Sequence, residues 1–198
     1  MKRGFVAALS LAFIAVTAFS YSQQAAGQAD AGWTTLFDGS NLDNWTAIGD
    51  ANWRIADGAV EADKGNGFLV SKTAYTDYQI RAEFWVDSDA NSGIFIRATD
   101  PVKVTAANAY EVNIFDKRPD PSYGTGAIVN VAKPSVYLKA GGQWNTYEIT
   151  VKGPKFTVVL NGTKTVDGAE DSKLATGRIA LQYAAGVVKF RKVQIKPI

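Results

Sequence analysis

Two glutamates, Glu83 and Glu111, stand in runs of apolar–polar alternation, Tyr78–Val86 and Tyr110–Phe115. Paired carboxylates are the working parts of glycosidic chemistry: one protonates the leaving oxygen while the other acts as base or nucleophile, and their separation decides which. Around them Trp85 and Phe95 offer flat apolar surfaces for sugar rings, and Arg97, Asn113 and Gln182 offer directional hydrogen bonds to hydroxyls. The competing reading is that outward glutamates on a sheet are simply solvated and that large rings pack beneath loops. The sequence has no His and no Cys, which excludes a His-based triad, a thiol nucleophile and the usual zinc sites. Catalysis would then run on carboxylates, Tyr or Lys, or borrow a metal; no cofactor and no metal ligands are assigned. Asp87–Gly93 alternates oxygen donors in the manner of a calcium loop. Its Gly comes one place late and Ala98 stands where the closing Glu belongs, so it reads as a turn.

The elements that must position these side chains are strands. From Trp33 onward, short runs of period-two alternation are broken by Gly, Asn, Asp and Pro, and no stretch keeps helical spacing for three turns. Asp57-Gly58 and Asn161-Gly162 mark tight hairpins. The longest predicted strands are Tyr78–Val86, Gly93–Ala98, Tyr110–Phe115, Trp144–Val151, Arg178–Tyr183 and Val187–Ile195, a spacing that favours an all-β sandwich. Alternation turns Ile80, Ala82, Phe84, Val86, Ile94, Ile96, Val112, Ile114, Ile179 and Leu181 inward. If the strands are sheet neighbours, Glu83, Trp85, Phe95, Arg97, Glu111, Asn113 and Gln182 share one outward face. Asp116–Ser122, with Pro119 and Pro121, leaves that face as a loop, which makes Asp116 and nearby Tyr123 secondary candidates. Trp33, Trp45, Trp53 and Trp144 are expected in the core and at strand ends.

Met1-Lys2-Arg3 followed by the apolar, small-residue run Phe5–Phe19 reads as a secretory signal peptide over residues 1–29, with Gly27-Gln28-Ala29 offering small residues for cleavage. The balance of 21 basic to 19 acidic residues includes Lys2 and Arg3, so the processed chain is formally neutral at 19 against 19. That argues against a nucleic-acid partner. The expected product is one domain over 30–198, periplasmic or secreted, free of the membrane after cleavage, with a small carbohydrate as partner. The sequence leaves its oligomeric state open. Without disulfides, the fold must rest on its own core.

Several runs together carry a resemblance: Leu36-Phe37-Asp38-Gly39 with Leu42 and Trp45, Trp53 with Asp57-Gly58, and Asn91-Ser92-Gly93-Ile94-Phe95-Ile96-Arg97. Further along come Tyr110-Glu111-Val112-Asn113-Ile114-Phe115-Asp116, Thr125-Gly126-Ala127, Trp144-Asn145, Leu160-Asn161-Gly162 and Gly177 to Gln182. The chain resembles the 3-keto-disaccharide hydrolase domain family over nearly its whole processed length. The resemblance implies a two-sheet jelly roll of the concanavalin A-like lectin/glucanase type, with a sugar site on the concave sheet. It implies roles for Asn91, Ser92, Gly93, Arg97, Glu111, Asp116 and Gln182, with Glu83 on the preceding strand. Two departures stand out: Asn113 replaces a usual Gln, and Tyr183-Ala184-Ala185-Gly186 lacks the family's frequent His. The activity implied is cleavage of 3-keto-glycosides or disaccharides, with Glu111 as principal acid or base, Glu83 as its partner, and Arg97 and Gln182 as clamps. A sugar-binding module without turnover and a structural envelope protein are the alternatives.

Overall fold

The computed structural model describes residues 31–198; the leader expected at 1–29 lies outside the described residues. In chain order the strands are β1 Thr34–Phe37, β2 Trp45–Gly49, β3 Arg54–Ala56, β4 Ala59–Ala62, β5 Gly67–Tyr75, β6 Tyr78–Val86 and β7 Ser92–Ala98. There follow β8 Tyr110–Ile114, β9 Trp144–Lys152, β10 Lys155–Leu160, β11 Thr163–Glu170, β12 Gly177–Tyr183 and β13 Val188–Pro197. A single 3-10 turn, Pro121–Tyr123, is the only helical element among the described residues. None is long and apolar enough to cross a membrane. Both expected hairpins form, β3–β4 and β10–β11. Asp57, Gly58, Asn161 and Gly162 all have positive φ, the twist that a two-residue hairpin turn demands.

The strands make an antiparallel, two-sheet jelly-roll sandwich. One sheet runs β11-β10-β9-β6-β13-β4-β3, with β1 also paired to β13; the other runs β2-β5-β12-β7-β8. All ten side chains expected to turn inward are buried in one apolar cluster between the sheets. Burial of this kind contributes about 1.5–3 kcal/mol per large side chain and holds the layers face to face. Tyr147 on β9 crosses the core: its hydroxyl donates to the Asn113 carbonyl on β8 at 2.6 Å and accepts from Gly126 N–H at 2.8 Å. Its ring stacks on Phe84 at 5.0 Å. Residues Thr34–Ile198 form one compact unit.

β6 and β7, expected to share a sheet, do not neighbour each other. β6 pairs with β9 and β13, whereas β7 pairs with β12 and β8. The link Asp87–Asn91 therefore carries the chain from one sheet to the other. Alternation tells which side of a strand is apolar; it does not tell whether the next strand lies beside it or across the core.

Candidate functional site

Glu111 is the only carboxylate on the strands of the five-stranded sheet. It projects from that sheet's outer face, directly opposite Phe95, while Asn113 pairs with Gly93 two residues on. The Leu181–Ile94 pairing sets Gln182 beside Gly93 on the other flank. Gly93 is a floor without a side chain: a Cβ there would lie 3.2 Å from Glu111 Cγ, 3.4 Å from Glu111 Oε1 and 3.1 Å from the Val112 carbonyl. A glycine inside a strand often marks such a close approach. Three oxygen-bearing side chains, Glu111, Asn113 and Gln182, thus meet around Gly93.

The electrostatics of this corner favour proton transfer. Burial raises the Glu111 pKa above its ordinary value of 4.5, and the positive charge of Arg118 draws it partly back. A carboxylate of raised proton affinity is a better base once ionised and a better acid once protonated. Asn113 is completely buried, and its amide nitrogen donates to the Tyr123 carbonyl at 2.6 Å. That bond fixes which end of the amide is the acceptor. Asn113 Oδ1 and Gln182 Oε1 are both buried without a partner. Unsatisfied buried acceptors cost about 1–3 kcal/mol each, so their presence side by side next to Glu111 marks this corner as unusual.

Several expected site residues lie elsewhere. Glu83 and Trp85 project from the outer face of the eight-stranded sheet, since Ile80, Ala82, Phe84 and Val86 of their strand fill the core. There Glu83 Oε2 accepts from Arg191 Nε at 2.7 Å, Arg191 lies 3.8 Å over the Trp144 ring, and Lys189 sits 5.8 Å from the Trp85 ring. Glu83 is therefore not the partner of Glu111, and Trp85 is no part of this site. Trp144 opens β9 partly exposed, while Trp45 is buried.

Arg97 turns inward. The register leaves β7 one residue longer than β12 between Phe95 and Ala98, and Arg97 takes φ +54° there. Such a bulge re-aims the extra side chain. The guanidinium, 1% exposed, spends its donors on Thr76, Gly153 and Leu174 carbonyls and on Asp77 Oδ1, at 2.8–3.2 Å. It is a tie between loops at the sandwich end, not a substrate clamp. Phe95 does face outward, but it is only 3% exposed, edge-on to Phe68 at 5.1 Å. Asp116 accepts from Thr125 Oγ1 at 2.6 Å and from Ala140 and Gly141 N–H at 2.9 Å each, so it braces loops. Tyr123 contributes its backbone carbonyl to Asn113.

Gly93, to which the resemblance gives a role, also carries a signal of its own, a glycine beside Ile94 and Phe95 in a strand. Arg118 is a site residue that the sequence reading does not name, since its approach depends on the path of the loop. Ala184–Gly186, where the family's His is frequent, runs beside Asn91: Asn91 N–H donates to Ala185 O and Ala184 N–H to Asn91 O. Asp87–Gly93 is a turn, with Asp87 capping Asp89 and Val187 N–H. No cluster of three or more metal-ligating His, Cys, Asp or Glu occurs among the described residues. Open cavities of about 310 Å³ at Arg178 and about 330 Å³ at Arg97 lie away from Glu111.

Residues 32–196 match the model of the 3-keto-alpha-glucoside-1,2-lyase-like domain. A 3-keto-disaccharide hydrolase of Bacteroides thetaiotaomicron is 26% identical over 152 residues, 61% of this chain and 52% of that protein. The chain thus spans about half the length of this curated relative. A Parabacteroides distasonis protein assigned as a glycosyl hydrolase superposes with a TM-score of 0.76 at 20% identity, over 87% of this chain and 96% of the other. The carbohydrate-binding module CBM66 of Bacillus subtilis superposes at 0.60 with 16% identity, over 83% and 95%. Those two likenesses show the fold, a jelly roll of the lectin/glucanase type. With the family's model matched across almost every described residue, the chain belongs to the 3-keto-alpha-glucoside-1,2-lyase-like domain family.

Proposed function

We propose that this domain cleaves 3-keto-glycosides by elimination across C1 and C2, with Glu111 as the base. The observation that carries the reading is the solitary, half-buried Glu111, its proton affinity raised, beside the unpartnered oxygens of Asn113 and Gln182. A two-carboxylate hydrolysis needs a second acid at about 5–10 Å. Glu83, the candidate for that role, stands on the other sheet. One carboxylate suffices for elimination. The 3-keto group acidifies the C2 proton; Glu111 takes it, and the electron pair forms the C1–C2 double bond while the C1–O bond breaks. The departing oxygen regains a proton from Glu111 or water, giving an enone and a free alcohol. Later addition of water across the double bond makes the net change a hydrolysis. The positive charge of Arg118 favours the enolate through which the step passes. The family to which the chain belongs and the name of the Bacteroides relative support this substrate class.

The test is turnover of a 3-keto-glucoside deuterated at C2, followed by release of the alcohol and by enone absorbance. The reading expects a primary isotope effect and a transient enone; cleavage with neither would contradict it. A second reading is favoured by Ala184-Ala185-Gly186, where the family's frequent His is missing: sugar binding without turnover. It would show as calorimetric binding and no released alcohol. We also propose export to the periplasm or beyond, on the strength of Lys2, Arg3 and the Phe5–Phe19 run. Cell fractionation with N-terminal sequencing should find a chain beginning near Asp30; an intact Met1 in the cytoplasm would contradict export.

A further inference from the structure

The outer face of the five-stranded sheet is not an open groove. The connection between β7 and β8, residues 99–109, folds back over it and buries Val104 and Ala109 against Val70, Phe95, Ala98 and Ala180, with Ile48 and Phe68 alongside. This loop is braced from within. Thr99 N–H donates to the Asn108 carbonyl, Asn108 N–H donates to the Thr105 carbonyl, and the Asn108 side chain donates to Lys103 O while accepting from Thr105 N–H. Asp100 Oδ1 accepts from Val102 and Lys103 N–H. Phe95, which anchors this apolar cluster, is the direct cross-strand partner of Glu111. The carboxylate therefore stands at the edge of a filled half-face, with Gly93, Asn113 and Gln182 on its other side.

We propose that the β7–β8 connection is the end wall of the sugar site and restricts the domain to a terminal, 4-unsubstituted 3-keto-glycosyl unit. The inference rests on the reading of Glu111 as the C2 base. C1 and C4 lie on opposite sides of a pyranose ring. With C2 at Glu111 and the C1 substituent directed away from the filled half-face, C4 turns toward Val104 and Phe95. A further sugar on O4 would have to displace a buried apolar cluster. Internal units of a 1,4-linked polysaccharide are thus excluded, and on such glycans the chain acts from the non-reducing end.

The experiment measures turnover and calorimetric binding of two probes. One is a disaccharide whose non-reducing unit is a 3-keto-glucoside; the other is the trisaccharide with a glucose added on O4 of that unit. Each is paired with its unoxidised parent, and Glu111→Gln protein is used where turnover would interfere. The expected result is cleavage and binding of the disaccharide and loss of both for the trisaccharide. Val104→Gly, or Val104→Ala if the first fails to fold, should recover part of the trisaccharide binding. Equal binding of the two lengths by the unaltered protein overturns the wall and leaves the lyase reading standing. Length-selective binding without turnover overturns the lyase reading and leaves the wall. Absence of binding to all four probes overturns both.

Discussion

The surroundings of one carboxylate set the chemistry open to this fold. Glu111 binds a proton more tightly in the folded chain than in the unfolded one, because burial opposes its charge. The sign of the linkage follows: folding takes up a proton, and the stabilisation it brings is full below the ordinary carboxyl value of 4.5 and lost as pH climbs through the raised folded value. Glu111→Gln, which cannot ionise, should therefore match the parent protein in urea unfolding below that window and exceed it at neutral pH. An equal or lower midpoint at neutral pH would contradict the burial argument. The same shift should place the acid limb of the pH–rate profile above 4.5. Asn113 works differently, since its amide nitrogen holds the Tyr123 carbonyl and thereby the 3-10 turn. Asn113→Ala should cost about 1–3 kcal/mol by chemical denaturation, the loss of a buried partner. An unchanged midpoint would show that the bond carries nothing.

Elements decide which residues meet. The six longest expected strands, their boundaries within a few residues, both hairpins and all ten inward side chains were legible, because period-two alternation and Asn-Gly or Asp-Gly turns are local signals; β1, β2 and the nine-residue β5 were not named. Strand partners were not. Tyr78–Val86 and Ser92–Ala98 are separated by five residues, a length that serves a hairpin or a crossing between sheets equally, and only packing chose the crossing. That choice removed Glu83 and Trp85 from the site. Arg97 was misread for another local reason: a one-residue bulge reverses the alternation that had turned it outward. Three carbonyls depend on its guanidinium, so Arg97→Met should lower stability by about 3 kcal/mol or more or prevent folding. In a variant that still folds, the Michaelis constant should stay near the parent's; a selective rise in KM with stability intact would restore Arg97 as a substrate clamp. Within the site, Glu111, Asn113 and Gln182 share the expected face, as alternation placed them.

In the proposed function, the whole molecule joins a supporting layer to a working one. The eight-stranded sheet supplies the apolar backing and ties its outer charges to one another, as in Glu83 with Arg191 and Glu61 with Lys189 and Arg54. The five-stranded sheet carries Glu111. Tyr147 is a link between the layers, holding the Asn113 carbonyl and Gly126 N–H from the opposite side of the core. Tyr147→Phe should cost about 1–3 kcal/mol in global unfolding and also lower turnover, since it loosens β8 under the site. Loss of stability without any change in turnover would mean that β8 is held well enough by its strand partners. The central claim is that the chemistry belongs to one carboxylate on one sheet. Its most direct test compares Glu111→Gln with Glu83→Gln in cleavage of a 3-keto-glucoside. Glu111→Gln should lose cleavage while remaining folded and Glu83→Gln should keep the parent rate; loss of cleavage in Glu83→Gln, or its survival in Glu111→Gln, would overturn the assignment.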